Sequence, residues 1–172
     1  MKKDWEYGIC KKLIDEETLQ NRIRELGVQI TNDYKNTDET LTVVGLLNGS
    51  LLFMADLIRE IKMPLTVDFM EISSYGDEFE TSREVRILKD LEGSIMGKNI
   101  LVVEDIIDSG LTLKKVLKML GGRGPKSVSL CTLLDKKERR QADIEVQYVG
   151  FEIPDEFVLG YGLDYKQEYR NI

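Results

Sequence analysis

The stretch from Asn99 to Leu120, NILVVEDIIDSGLTLKKVLKML, constrains the fold more than any other part of this 172-residue chain. It opens on an unbroken apolar run, Ile100-Leu101-Val102-Val103, rich in β-branched residues. A short run of this kind is the pattern of a buried strand in a parallel sheet. Two carboxylates follow, Glu104 and Asp105, then Ile106-Ile107, a third carboxylate at Asp108, and the small polar cluster Ser109-Gly110-Leu111-Thr112. From Leu113 the apolar residues fall at Leu113, Val116, Leu117 and Leu120, which is helical spacing. The expected order is buried strand, acidic turn, glycine-containing loop, helix.

That order has a chemical use. A helix N-terminus presents unpaired backbone N–H groups and a partial positive charge, so a phosphate can sit there. Gly110 lets the backbone turn tightly and approach closely. Ser109 and Thr112 add hydroxyl donors, and Thr112 suits the N-cap. The acidic pair cannot contact a phosphate directly, but it can hold Mg²⁺ or accept hydrogen bonds from sugar hydroxyls. A sugar with a phosphate on one side and a metal on the other satisfies both halves of the loop. The plain structural alternative is a strand-to-helix turn with solvated acids.

The thirteen residues from Leu101 to Leu113, LVVEDIIDSGLTL, resemble the phosphoribosyl pyrophosphate (PRPP) signature of type I phosphoribosyltransferases. The purine-salvage, hypoxanthine-guanine branch is the nearest match. The segment VGFEIPDEFVLGYGLDY, Val149 to Tyr165, strongly resembles the purine-binding end of that branch. The implied fold is α/β: a mainly parallel twisted sheet flanked by helices, with a small hood formed by the chain ends. The implied organisation is a single domain over 1–172. Its core spans about 36–150, and its hood comes from the N-terminal segment and about 151–172.

Composition agrees and excludes alternatives. Charged residues are 32% of the chain and the net charge is −7. That argues against a general nucleic-acid or membrane-surface binder, which needs a basic face. The longest uncharged run, Thr40 to Ala55, is interrupted by Asn48, Gly49 and Ser50, so no transmembrane span is expected. The charged N-terminus lacks an apolar signal region, and a cytoplasmic location is expected. The two cysteines, Cys10 and Cys131, show no motif spacing, and Cys131 suits a strand core. There is no histidine, so acid–base work must fall to Asp, Glu, Lys or Tyr.

Elsewhere the chain alternates strand and helix, which argues for helices on both faces of the sheet. Asp15 to about Tyr34 is an expected helix, capped by Asp15, with Leu19, Ile23, Leu26 and Ile30 on one stripe. Leu41 to Leu47 is an expected strand, followed by Asn48-Gly49-Ser50 and a helix from Leu51. Leu65 to Ile72, Val85 to Leu88, Ser127 to Leu134, Gln147 to Phe151 and Phe157 to Tyr161 are further expected strands. The polar segment Ser73 to Arg86 is expected as an exposed hairpin loop. GGRGPKS is not a Walker A loop, because Pro125 stands where glycine precedes the lysine. Lys137 to Arg140 is expected as an exposed basic patch without a role.

The resemblance implies the reaction and the site. The reaction is transfer of a 5-phosphoribosyl group from PRPP to N9 of a 6-oxopurine, hypoxanthine or guanine, with Mg²⁺ as cofactor. Glu104, Asp105, Asp108, Ser109, Gly110, Leu111 and Thr112 match the PRPP and 5′-phosphate site. Asp108 matches the catalytic group facing purine N7. Asn48, Gly49 and Arg170 match pyrophosphate contacts, and the family's non-proline cis peptide implies either a cis bond between Leu47 and Asn48 or a Leu47 amide that switches on binding. The family usually has a lysine at the Asn48 position. Asn48 supplies no cation, which leaves the backbone N–H groups of Gly49 and Ser50. Ile106, Lys136, Phe157, Val158, Leu163 and Asp164 match the purine site, with Lys136 donating to the 6-oxygen, Phe157 stacking on the base and Leu163 on its other face. Glu104, Asp105 and Asp164 match metal-linked carboxylates. Ser74 and Tyr75 match the mobile loop that closes over the site. The family implies a homodimer or homotetramer. A PRPP-responsive regulator, an orotate or uracil enzyme, and a non-catalytic doubly wound module remain as alternatives at this point.

Overall fold

A computed structural model of the chain describes residues 11–75 and 84–172. The element order is α1 (Glu16–Tyr34), β1 (Leu41–Leu47), α2 (Leu51–Glu60), β2 (Leu65–Tyr75), β3 (Glu84–Lys89), β4 (Asn99–Ile107), α3 (Leu111–Gly121), β5 (Ser127–Asp135) and β6 (Tyr148–Glu152). The strands form one sheet in the order β3-β2-β1-β4-β5-β6. All neighbours pair parallel except β2 and β3, which form an antiparallel pair.

From β1 the chain crosses through α2 to β2, and from β4 it crosses through α3 to β5 on the other side. Crossovers of one hand that run in opposite directions put their helices on opposite faces. Accordingly, Ile23 and Leu26 of α1 and Phe53 and Leu57 of α2 pack with Leu101 and Val103 of β4. On the other face, Val116 and Leu120 of α3 pack with Ile100 and Val102. This two-sided burial is why the β4 run is apolar without alternation. The loops after β1 and β4 diverge, and they leave a crevice at the carboxyl ends of these two strands, where open α/β sheets bind ligands.

The helix starting at Glu16 is capped as expected, with the Asp15 carboxylate accepting from Thr18 N–H. Beyond one-residue shifts at the ends of β3, β5 and β6, four expectations are corrected. β4 runs on through both acids to Ile107, because Ile106 and Ile107 still pair with Leu134 and Asp135, so Glu104 and Asp105 belong to the strand and not to a turn. α3 begins at Leu111 with Gly110 as its N-cap in the left-handed region (φ 73°), which moves Thr112 from the cap into the first turn. β2 extends three residues beyond Ile72, since Ser73, Ser74 and Tyr75 pair with Arg86, Val85 and Glu84. Phe157 to Tyr161 is not a strand. Its backbone joins no ladder there. Tyr161 N–H instead donates to Ile172 and Gly162 N–H to Arg170, which folds the C-terminal segment on itself. The backbone of Ser74 and Tyr75 closes β2, whereas their side chains and the segment 76–83 lie outside the described residues, as does Cys10. Cys131 is fully buried, and burial raises its thiol pKa.

Candidate active site

The end of β4 and the start of α3 form the floor of a cavity of about 170 Å³, lined by Glu104, Asp108, Ser109, Gly110 and Thr112, with Leu46 and Ile72 across from them. The loop is braced from below. Ser109 C=O accepts from both Gln141 and Ala142 N–H, and Ser109 Oγ accepts from Leu111 N–H at 3.5 Å. Gly110, the N-cap of α3, has no side chain to cap the first turn, and the long Ser109 contact is its one side-chain bond among the described residues. Its amide groups therefore suit an anion.

Glu104 is the unusual group. The residue is partly exposed, yet its Oε2 is shut off from solvent and has no hydrogen-bond partner among the described residues. Burial and then the neighbouring Asp105 charge push its carboxyl well above its ordinary range. Burial also raises Asp105, although the Ile106 N–H and the nearby Arg170 guanidinium oppose this. Two adjacent, partly desolvated carboxylates with an orphaned oxygen are a donor set that fits a hard divalent cation or sugar hydroxyls. Among the described residues, no three acidic or cysteine side chains converge as a ready metal cage. Glu104 and Asp105 thus stand together and Asp164 stands apart. Asp164 accepts from Gln167 N–H at 2.8 Å and pairs with Arg170 at 2.8 Å.

The loop after β1 closes against this pair. The Leu47–Asn48 peptide is cis, the first of the two alternatives that the resemblance implied. The Asn48 side chain is exposed, and Gly49 is buried. A Cβ on Gly49 would lie 1.6 Å from Asp105 Oδ2, so only glycine lets this backbone reach the carboxylate. A Cβ on Gly162 would lie 2.0 Å from the Gly49 carbonyl oxygen. The β1 loop, the β4 acids and the C-terminal segment therefore meet within contact distance. Arg170 is fastened there by Gly162 C=O at 2.7 Å and Gln167 Oε1 at 3.1 Å.

On the far side, Lys136 follows the last residue of β5 and is nearly buried, with 9% exposure. Its backbone N–H donates to Ile107 C=O at 2.9 Å, which ties it to the end of β4. Its ammonium donates to Asp155 Oδ1 at 3.3 Å. That contact, with Arg139 beside it, holds the Asp155 carboxyl below its ordinary range. Phe157 is 70% exposed, so it is not a core aromatic, and Tyr165 meets it edge-on at 5.9 Å. Ile106, Val158 and Leu163 are partly buried against the cluster under α1 and α2.

The Lys137 to Arg140 segment corrects its expectation. Its three cations are not an idle patch. Lys137 pairs with Glu152, Arg139 with Asp108 and Asp155, and Arg140 with the fully buried Asp135 at 2.6 Å. Asp155 and Arg139 were missed because their partners lie 16 to 31 residues away, where periodicity carries no signal.

A doubly wound sheet with an amide-lined loop and an acid pair at its switch point defines a nucleotide- or sugar-phosphate-binding class. Within that class, the phosphoribosyl transferase domain family matches residues 12–166. The hypoxanthine phosphoribosyltransferase of Salmonella typhimurium is 57% identical over 160 residues, 93% of this chain and 90% of the relative. The hypoxanthine-guanine phosphoribosyltransferase of Staphylococcus epidermidis is 52% identical, covering 93% of this chain and 88% of the relative. A solved hypoxanthine-guanine phosphoribosyltransferase of Bacillus anthracis superposes with a TM-score of 0.90 at 50% identity, covering 95% of both chains. The chain belongs to the phosphoribosyltransferase family, on the branch that carries these hypoxanthine and hypoxanthine-guanine enzymes.

Proposed function

We propose that the chain transfers the 5-phosphoribosyl group of PRPP to N9 of hypoxanthine or guanine, with Mg²⁺, giving IMP or GMP and pyrophosphate. The observation that carries this reading is Glu104, whose Oε2 is desolvated and without a hydrogen-bond partner among the described residues, lining one cavity with the start of α3, with the buried Asp105 carboxyl next to it in the chain. The ribose hydroxyls lie at Glu104 and Asp105, and the 5′-phosphate lies along Asp108 to Thr112. The pyrophosphate lies at Gly49 and Arg170. Glu104 and Asp105, with Asp164 as a linked carboxylate, would hold Mg²⁺, which would supply charge to offset that of the leaving pyrophosphate.

The base is the nucleophile. Its N9 forms the new bond to C1′ as the bond from C1′ to pyrophosphate breaks, and the purine loses a proton. Asp108 takes that proton at the N7 side. Lys136 can only donate, so it matches a 6-oxo group and opposes the 6-amino group of adenine. Phe157 stacks on the base, and Leu163 borders its other face. Ser74 and Tyr75, at the end of β2, help exclude water from the reacting sugar. The chain works as one domain with a C-terminal hood, as a homodimer or homotetramer, in the cytoplasm. The exposed apolar Leu51 beside Asn48 supports an interface there.

The test is a spectrophotometric assay with PRPP, Mg²⁺ and hypoxanthine, guanine or adenine. Product from the two 6-oxopurines and not from adenine is expected. Adenine as the best substrate would overturn the role of Lys136. Asp108→Ala is expected to lower turnover by about 10²–10⁴-fold, the usual scale of general acid–base assistance.

A further inference from the structure

A continuous line of charged contacts joins the two groups placed at the base. Lys136 Nζ donates to Asp155 Oδ1 at 3.3 Å. The other oxygen, Asp155 Oδ2, accepts from Arg139 NH1 at 3.3 Å. Arg139 Nε then donates to Asp108 Oδ1 at 2.9 Å. Asp155 thus spends one oxygen on each cation, and Arg139 spends a separate N–H on each carboxylate. Arg139, Asp108 and Asp155 are about half-exposed, with side-chain exposures of 51%, 48% and 44%. Ion pairs this exposed contribute little to folding. The two Arg139 contacts of the bridge are therefore not explained by stability.

They are explained by the shape of the base. O6 and N7 of a 6-oxopurine are neighbours on one edge of the ring. A donor for the first and a proton acceptor at the second must keep a fixed separation. A lysine stem is flexible and its ammonium is a point charge, so Lys136 does not fix that separation by itself. The guanidinium is a rigid planar fork, and it holds Asp155 and Asp108 at a set distance. We propose that Arg139 and Asp155 are positioning residues that set the spacing of Lys136 and Asp108 along the O6–N7 edge of the purine, and so help select a 6-oxopurine. This rests on the purine reading above.

The test compares Arg139→Gln, Asp155→Asn, the double variant and Arg139→Lys with the parent, by calorimetric titration of IMP and of ribose 5-phosphate and by steady-state kinetics. Melting temperatures are expected to stay at the parent value for the Arg139 variants, whose partners are half-exposed, while Asp155→Asn, which takes a carboxylate from the nearly buried Lys136 ammonium, is compared at temperatures below its own melt. Each single variant is expected to bind IMP about tenfold more weakly, the scale of one charge-assisted hydrogen bond, and to bind ribose 5-phosphate as the parent does. The KM for PRPP is expected to hold while kcat/KM for hypoxanthine falls. The double variant is expected to be no worse than the poorer single, because either change severs the same line. Arg139→Lys keeps the charge without the fork and is expected to resemble Arg139→Gln. Parent-like IMP affinity, equal losses for IMP and ribose 5-phosphate, additive losses, or full rescue by lysine would each overturn the bridge. A parent that neither prefers IMP over ribose 5-phosphate nor converts hypoxanthine would instead sink the purine reading, which is a different failure.

Discussion

Glu104 is a carboxyl whose environment disfavours its charge. Its pKa is raised, first by burial and then by Asp105, so the folded protein binds this proton more tightly than the unfolded chain does. Stability of the ligand-free protein therefore falls as pH rises from the ordinary value of 4.5 through the raised one. Glu104→Gln keeps the shape and removes the charge. The ligand-free variant is expected to melt higher than the parent at pH 7, by roughly 2–4 °C for each kcal/mol relieved in a chain of this size, while its turnover drops. Differential scanning fluorimetry across pH checks this, and a variant that melts lower at pH 7 would mean the carboxylate is compensated. The neighbouring glycine has the opposite character. At Gly49 a Cβ would overlap Asp105 Oδ2 at 1.6 Å, so Gly49→Ala must displace either the loop or the carboxylate. A displacement of about 1 Å at reacting groups can cost on the order of 10² in rate. Steady-state kinetics are expected to show a loss of that size, together with a raised KM for PRPP.

At the scale of elements, the C-terminal segment has no helix or strand in the sheet and is held by side chains. Tyr161 donates to Asp56 of α2, which also accepts from Gln20 of α1 and pairs with Arg59. Burial alone would raise the Asp56 pKa, but these partners outweigh it and the net shift is downward. A lowered carboxylate contributes stability above its ordinary pKa of 3.8, and that contribution disappears as pH falls through the folded value. Asp56→Asn is expected to cost about 1.5–3 kcal/mol at pH 7, the range for hydrogen bonds to charged groups, with the gap to the parent closing below pH 3.8. Paired pH-dependent melts read it directly. No local pattern foretold this anchor. The apolar run of β4, the Asp15 cap and the α1 stripe were legible because periodicity and capping act within a few residues. The extension of β4 through Glu104 and Asp105 was not, because it depends on β5 continuing to pair beside them. Phe157 to Tyr161 has strand-like residues, but Gly160 and Gly162 take φ of 92° and 101°, and the segment pairs with the chain end instead. The Leu101 to Leu113 and Val149 to Tyr165 segments were legible as family motifs, whereas the Arg139–Asp155 bridge exists only once β5 and the tail are side by side.

Two adjacent arginines separate what holds the whole molecule from what arranges its site. Arg139 and Arg140 follow β5 in the same short connection, and each pairs with aspartate. Arg139 reaches half-exposed partners, where solvent screens the pairing. Arg140 reaches Asp135, which is fully buried at the end of β5, with Nε and NH2 donating to its two oxygens at 2.9 and 2.6 Å and a further bond to Ile144 C=O at 3.3 Å. Asp135 also carries the sheet outward, since its backbone pairs with Glu152 of β6 and its carbonyl accepts from Ile153 N–H. Removing Arg140 leaves an uncompensated carboxylate inside the molecule, a change that typically costs 3–5 kcal/mol. Against a total stability of about 5–15 kcal/mol, that is a large fraction. Arg140→Ala is therefore expected to shift the urea midpoint sharply downward in one cooperative transition, and Arg139→Ala, one residue away, to leave it in place. Equal midpoints for the two variants would show that Asp135 finds another partner and that β5 and β6 do not depend on the Arg140 pair.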